Sequence, residues 1–186
     1  MSNPAQTQAD QAATLRNLNS SRQEGSQENS GAATSVFSIT SGKGGVGKTA
    51  VVANLAFHLA FLKKRVLILD ADLGLANIDV VFGLSPAYNL NHFFSGEQDL
   101  QQIMVDGPMG IKILPAGSGI QNFTRLDSHQ KMRLLDGLDS MQTHFDYVLI
   151  DTEAGISENV TYFNTAAQDI LVVTTPEPTA ITDAYA

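Results

Sequence analysis

A glycine-rich loop near the start of the chain constrains its fold more than any other feature. The loop reads GKGGVGKT over residues 42–49, which fits the pattern G-x-x-x-x-G-K-[ST], and it lies between an apolar strand pattern and a helical pattern. Glycines let consecutive backbone N–H groups turn inward around an anion, and the following helix adds the partial positive charge of its N-terminus. The sequence therefore predicts a phosphate-binding loop at a strand-to-helix junction.

This loop predicts a nucleotide and Mg²⁺ as ligands. Lys48 is expected to reach the β- and γ-phosphates, and the Thr49 hydroxyl to ligate Mg²⁺. The residues expected to contact the nucleotide are Gly42, Lys43, Gly44, Gly45, Val46, Gly47, Lys48, Thr49 and Ala50.

Apolar runs alternate with helical patterns along the rest of the chain. The predicted strands are SVFSIT (35–40), RVLILD (65–70), IKILPAG (111–117), DYVLID (146–151) and DILVVTT (169–175). Helical patterns cover 49–64, 126–141 and 177–186. Continuous apolar strands are typical of a parallel sheet buried on both faces. The alternation predicts an α/β fold, a doubly wound, mostly parallel sheet with helices on both faces. Because the chain stops inside the last helical pattern, we expect a C-terminally truncated piece of a longer protein.

The first 35 residues differ in composition from the rest. They contain no Val, Ile, Phe or Tyr, so they cannot offset the entropy of ordering, and we expect a flexible arm before a domain at 36–186. DQAATLRNL (10–18) is an exception, because Ala12, Leu15 and Leu18 recur at helical spacing. We expect a short helix at about 9–19 that needs a partner to be stable, although spacing alone favours a frayed tail helix.

Composition excludes several function classes. A net charge of −8 and a pI near 4.7 argue against a nucleic-acid-binding surface. The absence of cysteine excludes disulfides and thiolate or iron–sulfur ligation by these residues. No apolar stretch reaches the length of a membrane span.

The second lysine of the loop carries a family resemblance. Lys43 stands in the pattern K-G-G-x-G-K-[ST], which resembles the deviant Walker A motif of the ParA/MinD family of ATPases. The resemblance implies a P-loop NTPase that binds ATP and Mg²⁺ and forms a homodimer with ATP. Lys43 would then be catalytic together with Lys48, reaching the nucleotide of the other subunit as an arginine finger does. On spacing alone, a solvated loop lysine stays open as the alternative.

Two further segments share this resemblance. LDADLGLANIDVVFGL (69–84) is similar to the family's switch I, which implies that Asp72 activates the attacking water and that Asn77 holds that water or a phosphate. Asp70, one position inside the strand, is expected to support the loop.

YVLIDTEAGIS (147–157) resembles the Walker B strand and switch II. There Asp151 would bind Mg²⁺, and Gly155 would let the backbone approach the γ-phosphate. Glu153 departs from the family pattern, which has a small residue or proline at that position, and puts the hydrolysis rate in doubt. In the last segment, Asp183 is the candidate resting-state partner of Lys43.

The arm points to one branch of the family. DQAATLR (10–16) matches the D-Q-A-x-x-L-R motif of the flagellar-number regulators, the FlhG (FleN, YlxH) group. The resemblance implies that Asp10, Gln11, Leu15 and Arg16 dock on a signal-recognition-type GTPase, FlhF, and stimulate it. It also implies further basal-body or regulator partners and a cytoplasmic protein, peripheral on the inner membrane face and polar. The membrane helix of such proteins is C-terminal, and no segment here resembles it.

Three alternatives stay open. A ParA-type partition ATPase shares the loop but needs a basic DNA-binding surface. An iron–sulfur carrier needs cysteines. A non-hydrolysing binding module would use the arm to stimulate the GTPase while its own site stays idle.

Overall fold

The computed structural model describes residues 33–117 and 126–185, without the side chain of Gln142. The predicted arm and its docking residues Asp10, Gln11, Leu15 and Arg16 lie outside the described residues, so their expected helix stays a prediction. In the described ranges, no helix is long and apolar enough to span a bilayer.

A six-stranded sheet forms the centre of the described domain. Its strands are β1 (Ser35–Ser41), β2 (Val66–Ala71), β3 (Val105–Asp106), β4 (Lys112–Leu114), β5 (Tyr147–Ala154) and β6 (Asp169–Val172). Their order is β3-β4-β2-β5-β1-β6, and every neighbouring pair is parallel except β3 and β4. The predicted mostly parallel, doubly wound sheet is confirmed.

Helices cover both faces of this sheet. They are α1 (Lys48–Phe61), α2 (Ile78–Phe82), α3 (Leu90–Phe94), α4 (Leu100–Ile103), α5 (Ser128–Met141), α6 (Glu158–Ala166) and α7 (Pro178–Tyr185), with 3₁₀ turns at Pro108–Gly110 and Gln142–His144. Side chains alternate along β2, so Ile68 packs with α1 in one apolar cluster, while Leu67 and Leu69 pack with α3 to α6 in the other. The core therefore has two layers, one on each side of the sheet.

Local signals predicted the longer helices and strands, but they did not predict how deeply each strand is buried. Before α5, the spacing of Asp127 and Gln130 in the sequence is that of a capping box, and the two residues form it with reciprocal bonds of 2.8 and 2.9 Å. The prediction that DILVVTT is a buried strand is wrong. It forms β6 at the sheet edge, where Ile170 and Val172 are 49% and 53% exposed. The apolar run has strand character, but only the strand order decides which strand lies at an edge.

Candidate nucleotide-binding site

Three adjacent strands direct their carboxyl ends to one edge of the sheet. The glycine loop follows β1, and Asp70 of β2 lies in register with Asp151 of β5. Ligands of open parallel sheets bind at this edge. The topology therefore brings the loop and both acidic strand ends together, as the sequence predicted.

The glycine loop has the backbone of an anion cradle. Gly45 and Gly47 have φ of +79° and +91°, a region that side chains disfavour, and Gly47 gives α1 no side-chain cap. The first turn of α1 therefore offers N–H groups and the positive end of its dipole to an anion. Gly42 is required for another reason, because a Cβ there would clash with the backbone of Asp183 and Ala184.

A buried ion pair lies beside the loop. Lys48 Nζ donates to Asp151 Oδ1 at 2.6 Å, and these side chains are only 8% and 2% exposed. Burial raises the pKa of the Asp151 carboxyl, while Lys48 and a hydrogen bond from the Thr49 side chain oppose this shift. The structure thus brings the predicted metal ligands Thr49 and Asp151 together.

These residues fit a Mg²⁺–nucleotide. No group of three or more His, Cys, Asp or Glu side chains in the described ranges could hold a metal by itself. Mg²⁺ typically binds one or two protein oxygens together with substrate phosphates, and Thr49 and Asp151 are such donors. The glycine loop and α1 supply the phosphate-binding groups.

Asp70 has a different partner from the one expected. Its buried carboxylate accepts the backbone N–H groups of Asp72 at 3.2 Å and Ile78 at 3.3 Å, so it supports switch I and not the glycine loop. Burial, and next the negative charge of Asp151, raise the pKa of Asp70 to about 7. The strand end turns directly into switch I, which places those amides within its reach.

The switch I residues are held by their own backbone. Asp72 Oδ1 accepts the N–H of Leu75 at 2.9 Å, and Asn77 Nδ2 donates to the carbonyl of Leu75 at 2.5 Å. The Leu75 side chain is 72% exposed. Both predicted residues therefore lie on one tight turn, and their roles toward water or phosphate stay predictions.

Switch II contacts the end of β1. The Gly155 N–H donates to the Ser41 carbonyl at 2.8 Å, and Gly155 has φ of +97°. Glu153, the departure from the family pattern, accepts a hydrogen bond from the Ser157 hydroxyl. Sequence reasoning did not find Ser157 or Ser41.

Lys43 has a carboxylate partner, but it is not Asp183. Lys43 Nζ lies 3.1 Å from Glu177 Oε2 and 3.3 Å from Thr179 Oγ1. Glu177 and Thr179 flank the start of α7 beside the loop, whereas Asp183 lies more than one turn further along the helix. The sequence signal that could have found Glu177 is its place just after a strand that neighbours β1.

Comparisons with known proteins agree with this geometry. The sequence profile of the AAA domain family matches residues 34–184. The antiactivator FleN of Pseudomonas aeruginosa is 46% identical over 151 residues, which is 81% of this chain and 54% of FleN. The flagellum site-determining protein YlxH of Helicobacter pylori is 38% identical over 176 residues, which is 95% of this chain and 60% of YlxH.

A solved structure shares the fold. The septum site-determining protein MinD of Pyrococcus horikoshii, complexed with Mg-ADP, has a TM-score of 0.67 and 29% identity, covering 81% of this chain and 61% of MinD. The chain thus spans 54% to 61% of the length of these three proteins.

The fold and the loop define the class of this protein as a P-loop NTPase. More particularly, the chain belongs to the AAA domain family, in its MinD/ParA group of deviant Walker A ATPases.

Proposed function

We propose that this protein is an ATP-dependent dimerisation switch that regulates flagellar number and placement and hydrolyses ATP slowly. The observation that carries the proposal is the contrast between its two loop lysines. Lys48 is buried beside Asp151, whereas the Lys43 side chain is 42% exposed at the rim of the same loop. In this proposal Lys48 acts in its own site, and the exposure of Lys43 supports a role in the site of another subunit.

ATP is held by the loop backbone, the N-terminus of α1 and the Lys48 ammonium, which moves from Asp151 to the phosphates. Thr49 and Asp151 would hold Mg²⁺, and the ion would neutralise the charge of the phosphates. The Asp72 carboxylate orients the attacking water and accepts its proton. Its oxygen already bonds the Leu75 amide, which fixes the position of the carboxylate.

Lys43 acts on the nucleotide of the partner subunit. To do so, the ammonium leaves Glu177 and Thr179 and crosses the dimer interface, where it counters the charge that develops on the transferring phosphoryl group. The contact with Glu177 is exposed, so breaking it costs little. Hydrolysis then separates the two subunits.

The proposed output is control of flagellar assembly through an FlhF-type GTPase. The names of two relatives support the regulatory part of this proposal, one being an antiactivator and the other a flagellum site-determining protein. The GTPase is proposed from the resemblance of DQAATLR to the motif of the arm. The docking residues are Asp10, Gln11, Leu15 and Arg16. The protein would work in the cytoplasm and peripherally at the cell pole, with other basal-body or regulator proteins as partners.

Size-exclusion chromatography with ATP and Mg²⁺ tests the switch. Asp72→Ala is expected to accumulate as an ATP-bound dimer, because it binds ATP without turnover. Lys43→Ala is expected to bind ATP without hydrolysing it. If Lys43→Ala leaves the ATPase rate unchanged, Lys43 does not act on the nucleotide of the partner subunit.

The GTPase rate of an FlhF-type partner tests the arm. Leu15→Ala with Arg16→Ala should abolish the stimulation, while ATP binding remains. If Asp72→Ala keeps full stimulation, the arm works independently of the ATPase cycle. If Asp72→Ala loses it, the ATP state controls the arm. Stimulation that survives the change at Leu15 and Arg16 would refute the proposed docking site.

A further inference from the structure

Switch II is held at the loop by a backbone contact. The pairing of β1 with β5 changes register between Ile39 and Ser41, so that Ser41 lies opposite Ala154 and accepts the N–H of Gly155 at 2.8 Å. A backbone N–H is a single donor. While it bonds Ser41, the Gly155 amide therefore cannot donate to a γ-phosphate.

A side-chain contact holds the same segment at its other end. Ser157 is the N-cap of α6, and its hydroxyl oxygen accepts the N–H of Val160 at 3.3 Å while its proton goes to the Glu153 carboxylate. The negative charge of Glu153 thus lies at the positive end of α6. Val160 and Phe163 are buried in the core, which makes α6 a fixed anchor.

Apolar packing contributes little between these two contacts. Gly155 has no side chain, and Ile156 is 70% exposed. Segments with few buried contacts open locally at low cost. The position of switch II therefore depends on the two hydrogen bonds, Glu153 to Ser157 and Gly155 to Ser41.

We infer that Glu153 is a positioning residue for nucleotide recognition. Through Ser157 it holds switch II in a latched conformation, in which the Gly155 amide is bonded to Ser41. The latch opens before Gly155 can bind the γ-phosphate, so Glu153 lowers the apparent affinity for ATP and slows turnover. This inference rests on the proposed function, because it takes the γ-phosphate as the ligand of Gly155.

The latch distinguishes ATP from ADP. A protein whose binding-competent state is only partly populated binds with an affinity reduced by that fraction. Only ATP has the phosphate that Gly155 would contact, so the reduction falls on ATP alone. Loss of the latch should raise ATP affinity and leave ADP affinity unchanged.

Amide hydrogen exchange of Gly155 in the nucleotide-free chain tests the latch directly. Glu153→Ala should speed this exchange about three- to tenfold, as expected for the loss of one hydrogen bond. Ser157→Asp should also speed the exchange of the Gly155 amide, because an aspartate still caps α6 but cannot donate a hydrogen bond to Glu153. Glu97→Ala is the matched control, since it removes another contact of a Ser hydroxyl with a Glu, from Ser95 at 3.0 Å.

Binding of a non-hydrolysable ATP analogue and of ADP gives the second readout. Glu153→Ala should bind the analogue about three- to tenfold more tightly, with ADP binding within twofold of the wild type. The latch would be overturned if neither variant changed the exchange rate of the Gly155 amide. It would also be overturned if Glu153→Ala changed the affinities for the ATP analogue and for ADP equally. If neither nucleotide binds the wild-type chain, the proposed function fails, and the exchange experiment still decides whether Glu153 holds switch II.

Discussion

The Lys48 ammonium and the Asp151 carboxylate are 2.6 Å apart at the carboxyl edge of the sheet, and both side chains are buried. A buried charge is costly without its partner, so each of the two residues depends on the other. The pair keeps a lysine fixed at the glycine loop, and the Lys48 charge opposes the rise in the pKa of Asp151 that burial causes. The structure thus links the stability of the domain to Lys48, the residue that we propose binds phosphate.

Removing only the cation of this pair should destabilise the fold. Lys48→Met leaves Asp151 buried and unpaired, so we expect the free energy of unfolding to fall by about 3 kcal/mol at pH 7. Denaturant titration measures this loss. The double variant Lys48→Met with Asp151→Asn should recover most of the stability but not ATP binding. If Lys48→Met were as stable as the wild type, the burial of Asp151 would not depend on Lys48.

The stability of the metal-free protein should fall as the pH rises from about 4 to 7. The pKa of Asp70 is about 7 in the folded protein, against an ordinary 3.8, so in this window the folded state keeps a proton that the unfolded state has released. The effect is at most about 4 kcal/mol. Urea unfolding across this range, in EDTA and without nucleotide, measures it.

Asp70→Asn is the control for this pH dependence, because an amide does not titrate. Its single oxygen can keep only one of the two bonds from the N–H groups of Asp72 and Ile78, so the variant is compared by its slope against pH and not by its absolute stability. The variant should lose less stability than the wild type across the same window. Equal slopes for the two proteins would assign the pH dependence to other groups.

Release of Lys43 from its partner in the same chain should favour dimerisation. Glu177→Gln removes the carboxylate 3.1 Å from Lys43, and the pair is exposed, so stability should change by less than about 1 kcal/mol. We expect the ATP-bound dimer to tighten up to about fivefold, measured by sedimentation. Thr179→Val removes the second contact of Lys43 and should act in the same direction. If neither variant changed the affinity of the ATP-bound dimer, the contact of Lys43 with Glu177 would not compete with its role at the partner's nucleotide.

The sequence predicted the elements that have strong local signals. The long apolar runs gave β1, β2 and β5, because strands at the centre of a parallel sheet are buried on both faces. The capping box before α5 was predictable, because both of its residues lie within one turn. Helices α2 to α4 were missed, since each has five residues or fewer and shows no clear period.

The sequence predicted at which edge of the sheet the site lies, but it did not predict the contacts between the side chains there. The order of the parallel strands places Lys48 and Asp151 near each other, but no local pattern indicates that they form an ion pair. The sequence analysis named Asp183 as the candidate partner of Lys43 and did not consider Glu177, because the packing of α7 against the loop decides which carboxylate reaches Lys43. The contact of Glu153 with Ser157 likewise depends on the turn between β5 and α6.

A mixing experiment with the complete natural protein tests the central claim most directly. Lys43→Ala keeps its own Asp72 but lacks the lysine for its partner, and Asp72→Ala has the opposite defect. Each variant alone should be inactive. Mixed in equal amounts with ATP and Mg²⁺, they should regain about a quarter of the wild-type ATPase rate, because half of the dimers are mixed and each has one complete site. A mixture as inactive as its components, or a Lys43→Ala protein with the full rate, would contradict a lysine that acts across the dimer interface.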